Sequence, residues 1–166
     1  LQILDIGIGS GCILMSILKE KKNFIGTGID ISNKSLQISK VNGHKLGINN
    51  RLKLFKSNID NFNTGKYDLI LSNPPYVKKS DLKCLEKDIS FEPKQALDGG
   101  LDGLSEIRKV IRKSSELIKK NGHLIIEIGS EQKNKVKKIL NNNEFYIKKI
   151  VKDLSNHDRC IVSIKI

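Results

Sequence analysis

Apolar segments and apolar residues at helical spacing alternate along this chain, and their order predicts its secondary structure. Continuous apolar runs bounded by turn residues indicate strands, whereas apolar residues three and four positions apart indicate helices that bury one face. The pattern predicts strands at residues 1–6, 24–30, 52–55, 67–72, 123–128, 145–151 and 160–166. It also predicts helices at 13–18, from an N-cap at Ser32 to near Gly47, from about 104 to 120, and around 136–140.

The alternation of these elements predicts their arrangement. Repeated β and α units indicate a parallel sheet with helices on both faces. The turn-rich segment 153–158 joins the last two strands as an antiparallel pair, which predicts one reversed edge strand. The predicted fold class is therefore α/β: a seven-stranded, mostly parallel, Rossmann-like sheet with one antiparallel strand from the C-terminal hairpin, in a single domain at 1–166. The residues expected at the end of the 104–120 helix are Lys119, Lys120, Asn121 and Gly122.

Composition and charge narrow the range of functions. No apolar run approaches the length of a membrane span. The net charge of +12 fits either a nucleic-acid-rich environment or a compositional excess of lysine. Specific base readout favours clustered arginines with aromatic residues, and no such cluster is present, so direct nucleic-acid binding is not favoured. Cys12, Cys84 and Cys160 lie far apart without a CxxC spacing, which predicts neither a disulfide nor a metal site and indicates a reducing cytoplasm.

Asn73-Pro74-Pro75-Tyr76 directly follows the predicted strand 67–72 and is the most informative motif of the chain. Two consecutive prolines fix the backbone and cannot extend a strand ladder, so they form a stiff loop at the strand end. The Asn73 side chain and the Pro74 carbonyl offer hydrogen-bond acceptors, and Tyr76 offers a flat apolar face. This combination predicts a site for a planar –NH2 group, either an amide or an exocyclic amine. Asn-Pro-Pro by itself also occurs as an ordinary turn.

A glycine-rich segment, Asp5-Ile-Gly7-Ile-Gly9-Ser-Gly11, joins the first strand to the first helix. Its spacing is G-x-G-x-G, and the preceding acid disfavours a pyrophosphate and suits an ammonium group. Free N–H groups at the helix start suit a carboxylate, so a zwitterion is the expected ligand rather than a dinucleotide. Read alone, such a segment is also compatible with a simple tight turn.

Two further strand ends carry polar residues of the same predicted site. Asp30 ends the second strand about 20 residues beyond the glycine loop, where an acid commonly binds ribose hydroxyls. Asn58 follows the third strand, where it can hydrogen-bond an adenine while Ile59 packs on the ring. A zwitterion, a ribose and a purine together describe S-adenosyl-L-methionine. Asp30 alone is also compatible with an acid that merely precedes a helix.

These segments resemble the class I S-adenosylmethionine-dependent methyltransferases, and within them the peptide-chain release factor glutamine N5-methyltransferase family. The resemblance covers nearly the whole chain. The matching segments are 5–11, 28–32, 72–77, Phe91-Glu92-Pro93 with Ala96-Leu97, 127–129, and Asp153-Leu154 with Asp158-Arg159. The motif at 73–76 is shared with adenine-N6 methyltransferases, and the segment at 91–97 is the part that favours the glutamine-modifying family.

The resemblance implies roles for individual residues and a protein partner. It implies that 7–11 bind the methionine part, Asp30 the ribose and Asn58 or Ile59 the adenine, and that Asn73 touches both cofactor and substrate. It implies class I release factors as substrates, and a helical N-terminal domain in the family that this chain lacks. The catalytic candidates are Asn73, Pro74 and Tyr76, with Pro75 also at the substrate. The cofactor candidates are Asp5, Gly7, Ile8, Gly9, Ser10, Gly11, Asp30, Ile31, Asn58, Ile59 and Asn73.

Two alternative functions stay open. An adenine-N6 methyltransferase acting on RNA or DNA can use the same Asn-Pro pair to hold a flipped base, with Tyr76 stacking on it. The chain can also be a cofactor-binding fragment without substrate recognition. Outside the motif, Arg159 is expected to pair with Asp158, Asp153 or Glu127 rather than to contact substrate.

Overall fold

A computed structural model describes residues 1–84 and 97–166, and the predicted seven-stranded sheet is present in it. The strand order is β3-β2-β1-β4-β5-β7-β6. All strand pairs from β3 to β5 are parallel. The strands are β1 (Gln2–Ile6), β2 (Ile25–Asp30), β3 (Leu52–Lys56), β4 (Tyr67–Ser72), β5 (Ile118–Glu127), β6 (Phe145–Lys152) and β7 (Asp158–Lys165).

Helices cover both faces of the sheet, as the alternation of elements predicted. Ile3 packs in a core cluster with the helix Cys12–Glu20, whereas its neighbour Leu4 packs in a second cluster with the helices Ser105–Leu117 and Lys133–Asn142. Successive residues of a strand point to opposite faces, so the two clusters lie on opposite sides. None of the helices among the described residues has the length and apolar composition to span a bilayer. The helices are α1 (Cys12–Glu20), α2 (Asn33–Lys45), α3 (Ser105–Leu117) and α4 (Lys133–Asn142).

The carboxyl ends of the central strands are aligned along one edge of the sheet. Ile6 of β1 is in register with Ile29 of β2 and with Ser72 of β4, and Ser72 is in register with Ile126 of β5. The segments that follow these strands therefore meet at this edge. They include the glycine-rich loop, Asp30, the Asn-Pro-Pro-Tyr loop and Glu127.

The reversed strand lies inside the sheet, so the prediction of a reversed edge strand was wrong. β7 runs antiparallel to both β5 and β6, and the edge position belongs to β6. The exposed side chains of Lys148, Lys149 and Lys152 suit β6 to this edge, because charges discourage pairing with other chains. Since β7 is reversed, its first residues lie beside the carboxyl end of β5, with Cys160 opposite Glu127.

The predicted end of the third helix was also wrong. α3 ends at Leu117, and Ile118 already has an extended backbone with ψ 146°. Strand pairing overrides the capping residues here: Ile118 pairs with Tyr67, and Lys119 forms an ion pair with Asp68 at 2.7 Å. Asn121, with φ 62°, lies at the irregular part of β5 rather than after a helix.

Candidate active site

The glycine-rich loop lies against β2 and keeps its backbone open to the edge of the sheet. The N–H groups of Gly7 and Ile8 both donate to the Ile29 carbonyl, at 2.9 and 3.0 Å. Gly7 and Gly9 adopt φ values of +74° and +58°, which non-glycine residues rarely accept. A Cβ on Gly7 would meet nothing within 4 Å, so space for a ligand lies directly above the loop.

Two side chains of α2 hold this loop, and neither was predicted from the sequence. Ser39 Oγ donates to the Gly9 carbonyl at 2.8 Å, and Asn42 Nδ2 donates to the Ser10 carbonyl at 3.0 Å. Ser39 is fully buried. The available signal was the position of Ser39, three residues after Leu36 and four before Gly43 on the same helix face, because a buried hydroxyl requires a partner.

Asp30 contacts the loop from the end of β2. One of its carboxylate oxygens accepts from the Gly9 N–H at 2.9 Å, and the other accepts from the Ser32 N–H at 2.8 Å. A carboxylate has about four acceptor positions, so capacity for two further hydroxyl donors remains. Ile31, which follows it, exposes 59% of its surface. The Asp30 carboxylate and the exposed Ile31 side chain thus follow each other beside the glycine loop.

Asp5 is buried below the loop, with 3% exposure. Burial raises its pKa from 3.8 to about 7, the Leu14 N–H lowers it, and the neighbouring charge of Asp30 raises it further. Two carboxyl groups therefore stand on the loop side of the sheet. A ligand with a positive charge bound there would favour the ionised form of Asp5.

Asn58 and Ile59, the adenine candidates, follow β3 in a turn. The Asn58 side-chain oxygen accepts from the Asn61 N–H at 2.9 Å. The NH2 group of this exposed side chain is therefore the part that can bind a ligand. Ile59 is 8% exposed and packs in the core with Phe62. The turn is joined to the site by the Ser57 N–H, which donates to the Asp30 carbonyl at 3.1 Å.

The Asn-Pro-Pro-Tyr loop is fixed at both of its ends. At its start, Ser72 Oγ donates to the Ile6 carbonyl at 2.9 Å, so β4 ends beside the residue that precedes the glycine loop. At its end, the Val77 N–H donates to the Leu97 carbonyl at 3.0 Å, and the Val77 carbonyl accepts from the Gly99 N–H at 2.8 Å. Asn73 is exposed, Pro74 is buried, and Pro75 and Tyr76 are half-buried.

Tyr76 is held by residues from three different elements. Its hydroxyl donates to Glu127 Oε1 at 3.2 Å and accepts from Arg159 Nη1 at 3.4 Å. Gln132, which the sequence analysis missed, donates from Nε2 to the Tyr76 carbonyl at 2.9 Å. Burial and the Glu127 charge raise the pKa of the phenol, so it is neutral at physiological pH. Arg159 forms an ion pair with Asp153, one of its expected partners, with 2.9 Å between Nη2 and Oδ2. Asp158, another expected partner, pairs with Lys133 instead.

A cavity of about 210 Å³ lies beside this tyrosine. A larger cavity of about 710 Å³ lies between α2 and β3 and contains none of the predicted site residues. Phe91, Glu92, Pro93 and Ala96, which carry the discriminating part of the family resemblance, lie outside the described residues. The smaller cavity is lined by Tyr76, Val77, Lys78, Asp81, Gly129, Ser130, Glu131, Gln132 and Arg159.

The fold is that of the Rossmann-like methyltransferases. A ribosomal protein L11 methylase from Lactobacillus delbrueckii subsp. bulgaricus superimposes with a TM-score of 0.73 and 20% identity, over 100% of this chain and 71% of that one. A magnesium protoporphyrin IX methyltransferase from Synechocystis PCC 6803, solved with bound SAM, gives a TM-score of 0.68 at 16% identity, over 99% and 69%. At these identities the likeness establishes the fold.

The sequence gives the family. The chain belongs to the methyltransferase small domain family, whose model matches residues 1–153. It is 36% identical over 163 residues to a release factor glutamine methyltransferase of Rhodospirillum rubrum, over 98% of this chain and 50% of that protein. It is also 37% identical to a bifunctional methyltransferase of Rickettsia typhi, over 96% of this chain and 31% of that protein. The resemblance found in the sequence motifs is thereby confirmed, and the chain spans about half the length of the first relative.

Proposed function

We propose that this chain transfers a methyl group from S-adenosyl-L-methionine to the side-chain amide nitrogen (N5) of the glutamine in the Gly-Gly-Gln motif of class I peptide-chain release factors. One observation carries the proposal: the Asn-Pro-Pro-Tyr loop is anchored at Ser72 to the Ile6 carbonyl, immediately before the glycine-rich loop. The Asn-Pro-Pro-Tyr loop, which offers acceptors to a planar –NH2 group, thus lies next to the glycine-rich loop, which suits a zwitterion. The similarity to release factor glutamine methyltransferases supports glutamine as the acceptor. In this proposal residues 1–166 act as the catalytic domain, in the cytoplasm, where release factors work.

The residues at the glycine loop fit the proposed cofactor. The open space at Gly7 suits the methionine part of the cofactor, Asp5 suits its ammonium group, and Asp30 retains acceptor capacity for ribose hydroxyls. Ile31 and the Asn58 amide are available to the adenine. When bound, S-adenosyl-L-methionine supplies an electrophilic methyl group on a positively charged sulfur.

The chain's own residues prepare the amide nitrogen for attack. An amide nitrogen is a poor nucleophile because its lone pair is delocalised into the carbonyl. The Asn73 side-chain oxygen and the Pro74 carbonyl accept hydrogen bonds from the two N–H groups of the amide. These bonds raise the electron density on the nitrogen and fix the orientation of the amide. The Tyr76 ring packs against the flat amide. The nitrogen would gain the methyl group that the sulfonium gives up, and because the methylated nitrogen is positively charged and acidic it would lose its proton to water afterwards, so no strong base is required in the site.

Transfer from labelled cofactor to a purified release factor tests the proposal. Wild type is expected to label the factor, and a factor whose Gly-Gly-Gln glutamine is replaced is expected to stay unlabelled. Asn73→Ala is expected to lower kcat by about 100-fold or more, comparable to the loss of one preorganised hydrogen bond at a reacting group. Asn134→Ala, an exposed asparagine of α4, is the matched control and should keep wild-type turnover.

Parallel reactions with total RNA and with DNA separate the alternatives. Labelling of nucleic acid without labelling of the release factor would overturn the proposal in favour of adenine methylation. Cofactor binding by calorimetry without transfer to any of these acceptors would identify a cofactor-binding fragment. Unchanged turnover in Asn73→Ala would remove Asn73 from the mechanism.

A further inference from the structure

Arg159 is held so completely that it is unsuited to contact a substrate. Nε and Nη2 donate to Asp153 Oδ2 at 3.0 and 2.9 Å, and Nη1 donates to the Ile128 carbonyl at 3.1 Å. The remaining interaction of Nη1 is with the Tyr76 hydroxyl, and the guanidinium carbon lies 5.8 Å from the centre of the Tyr76 ring. Both contacts with Tyr76 thus restrain the ring.

The hairpin turn between β6 and β7 fixes Arg159 in turn. Asp153 Oδ1 accepts from the N–H groups of Ser155 and His157, both at 3.0 Å. The Asp153 N–H donates to the His157 carbonyl at 2.9 Å. The turn therefore fixes the position of the Asp153 carboxylate. The carboxylate in turn fixes the orientation of the Arg159 guanidinium, which restrains the ring of Tyr76.

Gln132 restrains the backbone of the same tyrosine. It is 8% exposed, and each of its polar atoms is satisfied. Its Oε1 accepts from the Gly129 N–H at 2.9 Å, and its Nε2 donates to the carbonyls of Tyr76 and Gly103, both at 2.9 Å. The close approach of Gly103 leaves no room for a side chain, since a Cβ there would lie 2.5 Å from the Tyr76 carbonyl oxygen.

We propose that Arg159 and Gln132 are positioning residues for methyl transfer, which fix the ring and the backbone of Tyr76 against the substrate amide. This inference rests on the proposed function, because it assigns a purpose to the orientation of Tyr76. Neither residue contacts the substrate. Arg159 acts on the ring through the hydroxyl and the ring face, and Gln132 acts on the carbonyl that ends the Asn-Pro-Pro-Tyr loop.

Arg159→Met removes the charge and the donors of Arg159 and keeps much of its length. It is expected to lower kcat by about 10-fold, because misplacing a substrate-contacting group by an ångström can cost up to about 100-fold. The cofactor Kd, measured by calorimetry, should stay within about 2-fold of wild type. Lys133→Met is the matched control: it removes the ion pair with Asp158 at 2.7 Å, which does not involve Tyr76. It should change neither kcat nor Kd.

A double-mutant cycle tests whether Arg159 acts through Tyr76. Tyr76→Phe removes the hydroxyl, so Arg159→Met should lower kcat by less than about 3-fold in that background. Effects that multiply would overturn the assignment, because they would mean that the two residues act separately. A loss of kcat in Arg159→Met that is matched by an equal loss of cofactor-binding sites would also overturn it, since it would indicate unfolding.

NMR of the chain with labelled tyrosine gives a readout that needs no methyl acceptor. The Tyr76 ring signals should shift in Arg159→Met and in Gln132→Met and stay in place in Lys133→Met. Unmoved signals in the first two variants would overturn the inference. If wild type labels no release factor while these signals do shift, the proposed function fails and the restraint on Tyr76 stands.

Discussion

Asp5 shows how the environment of one residue alters its chemistry. Its side chain is buried in the core beneath the glycine loop, and burial raises its pKa to about 7. The sequence identified Asp5 as an acid beside a ligand loop, but an ordinary carboxylate and a half-protonated one are indistinguishable in sequence. The raised pKa follows from loss of water, which only the packed structure determines.

This shift predicts a specific pH dependence of stability. Because the folded pKa of about 7 exceeds the ordinary value of 3.8, the stability contributed by protonated Asp5 is complete below about pH 4 and is lost as pH rises to about 7. Asp5→Asn should therefore match wild type near pH 4 and be more stable near pH 8, by at most about 4 kcal/mol. Urea unfolding of both proteins at the two pH values measures the difference.

Asp102→Asn is the control with the opposite sign. The hydrogen bond from the Arg108 side chain, first of several causes, lowers the pKa of Asp102 from 3.8 to about 2. Its contribution to stability is present above the ordinary pKa and is lost as pH falls toward about 2. Asp102→Asn should thus be less stable than wild type near neutrality, by a small amount because the side chain is 42% exposed. A flat difference between Asp5→Asn and wild type would contradict the raised pKa of Asp5.

At the scale of secondary-structure elements, the end of α1 depends on a residue distant in sequence. Arg51 lies just before β3, and its guanidinium donates to the carbonyls of Leu18, Lys21 and Phe24 at 2.9, 3.2 and 3.0 Å. The last carbonyls of a helix lack partners within it, so a cation at this position satisfies them and interacts favourably with the helix dipole. This contact fixes the connection from α1 to β2, and thereby the strand that carries Asp30.

Arg51→Met should destabilise the fold by about 2 to 3 kcal/mol, since it leaves carbonyls unpaired that a charged donor had satisfied. The measurement is the free energy of unfolding in urea. Arg112→Met is the matched control, because Arg112 pairs with Asp60 at the surface with 61% of its side chain exposed. That variant should cost less than about 1 kcal/mol. Equal effects in the two variants would show that Arg51 does not cap α1.

At the scale of the whole molecule, the candidate site is formed at one edge of the sheet. The glycine loop, Asp30, the Asn-Pro-Pro-Tyr loop and Glu127 meet there because four parallel strands end in register. Because β7 runs antiparallel to β5, its first residues lie at this edge, and they include Arg159, which contacts the Tyr76 hydroxyl. A ligand that spans this edge would join most elements of the fold.

S-adenosyl-L-methionine should therefore raise the thermal midpoint of the chain. A ligand at 100 times its Kd stabilises the folded state by about 2.7 kcal/mol, which corresponds to about 5 to 10 °C for a domain of this size. NAD at the same concentration should give no shift, because the loop and its acids suit a zwitterion and not a pyrophosphate. Asp30→Ala should abolish most of the shift. An equal shift with NAD would contradict the assignment of the glycine loop.

Local patterns predicted much of the secondary structure, and their failures have physical causes. The strand at 67–72 was predicted with its observed bounds, because a buried parallel strand is a continuous apolar run. The end of α3 was misplaced because Lys119 to Gly122 follow helix-capping rules locally, while pairing with β4 draws them into β5. The reversed edge strand was misplaced because a hairpin pattern shows that two strands are antiparallel and not which of them lies next to β5.

By itself, the sequence predicted the residues of the candidate site, because turn and strand signals are local: the glycine loop and the Asn-Pro-Pro-Tyr motif each follow a predicted strand, and Asp30 ends one. The tertiary structure alone decided that Ser39 and Asn42 hold the loop, that Gln132 and Arg159 hold Tyr76, and that Asp5 has a raised pKa. These features depend on contacts between residues far apart in the chain and on the exclusion of water. Neither is encoded in a short stretch of sequence.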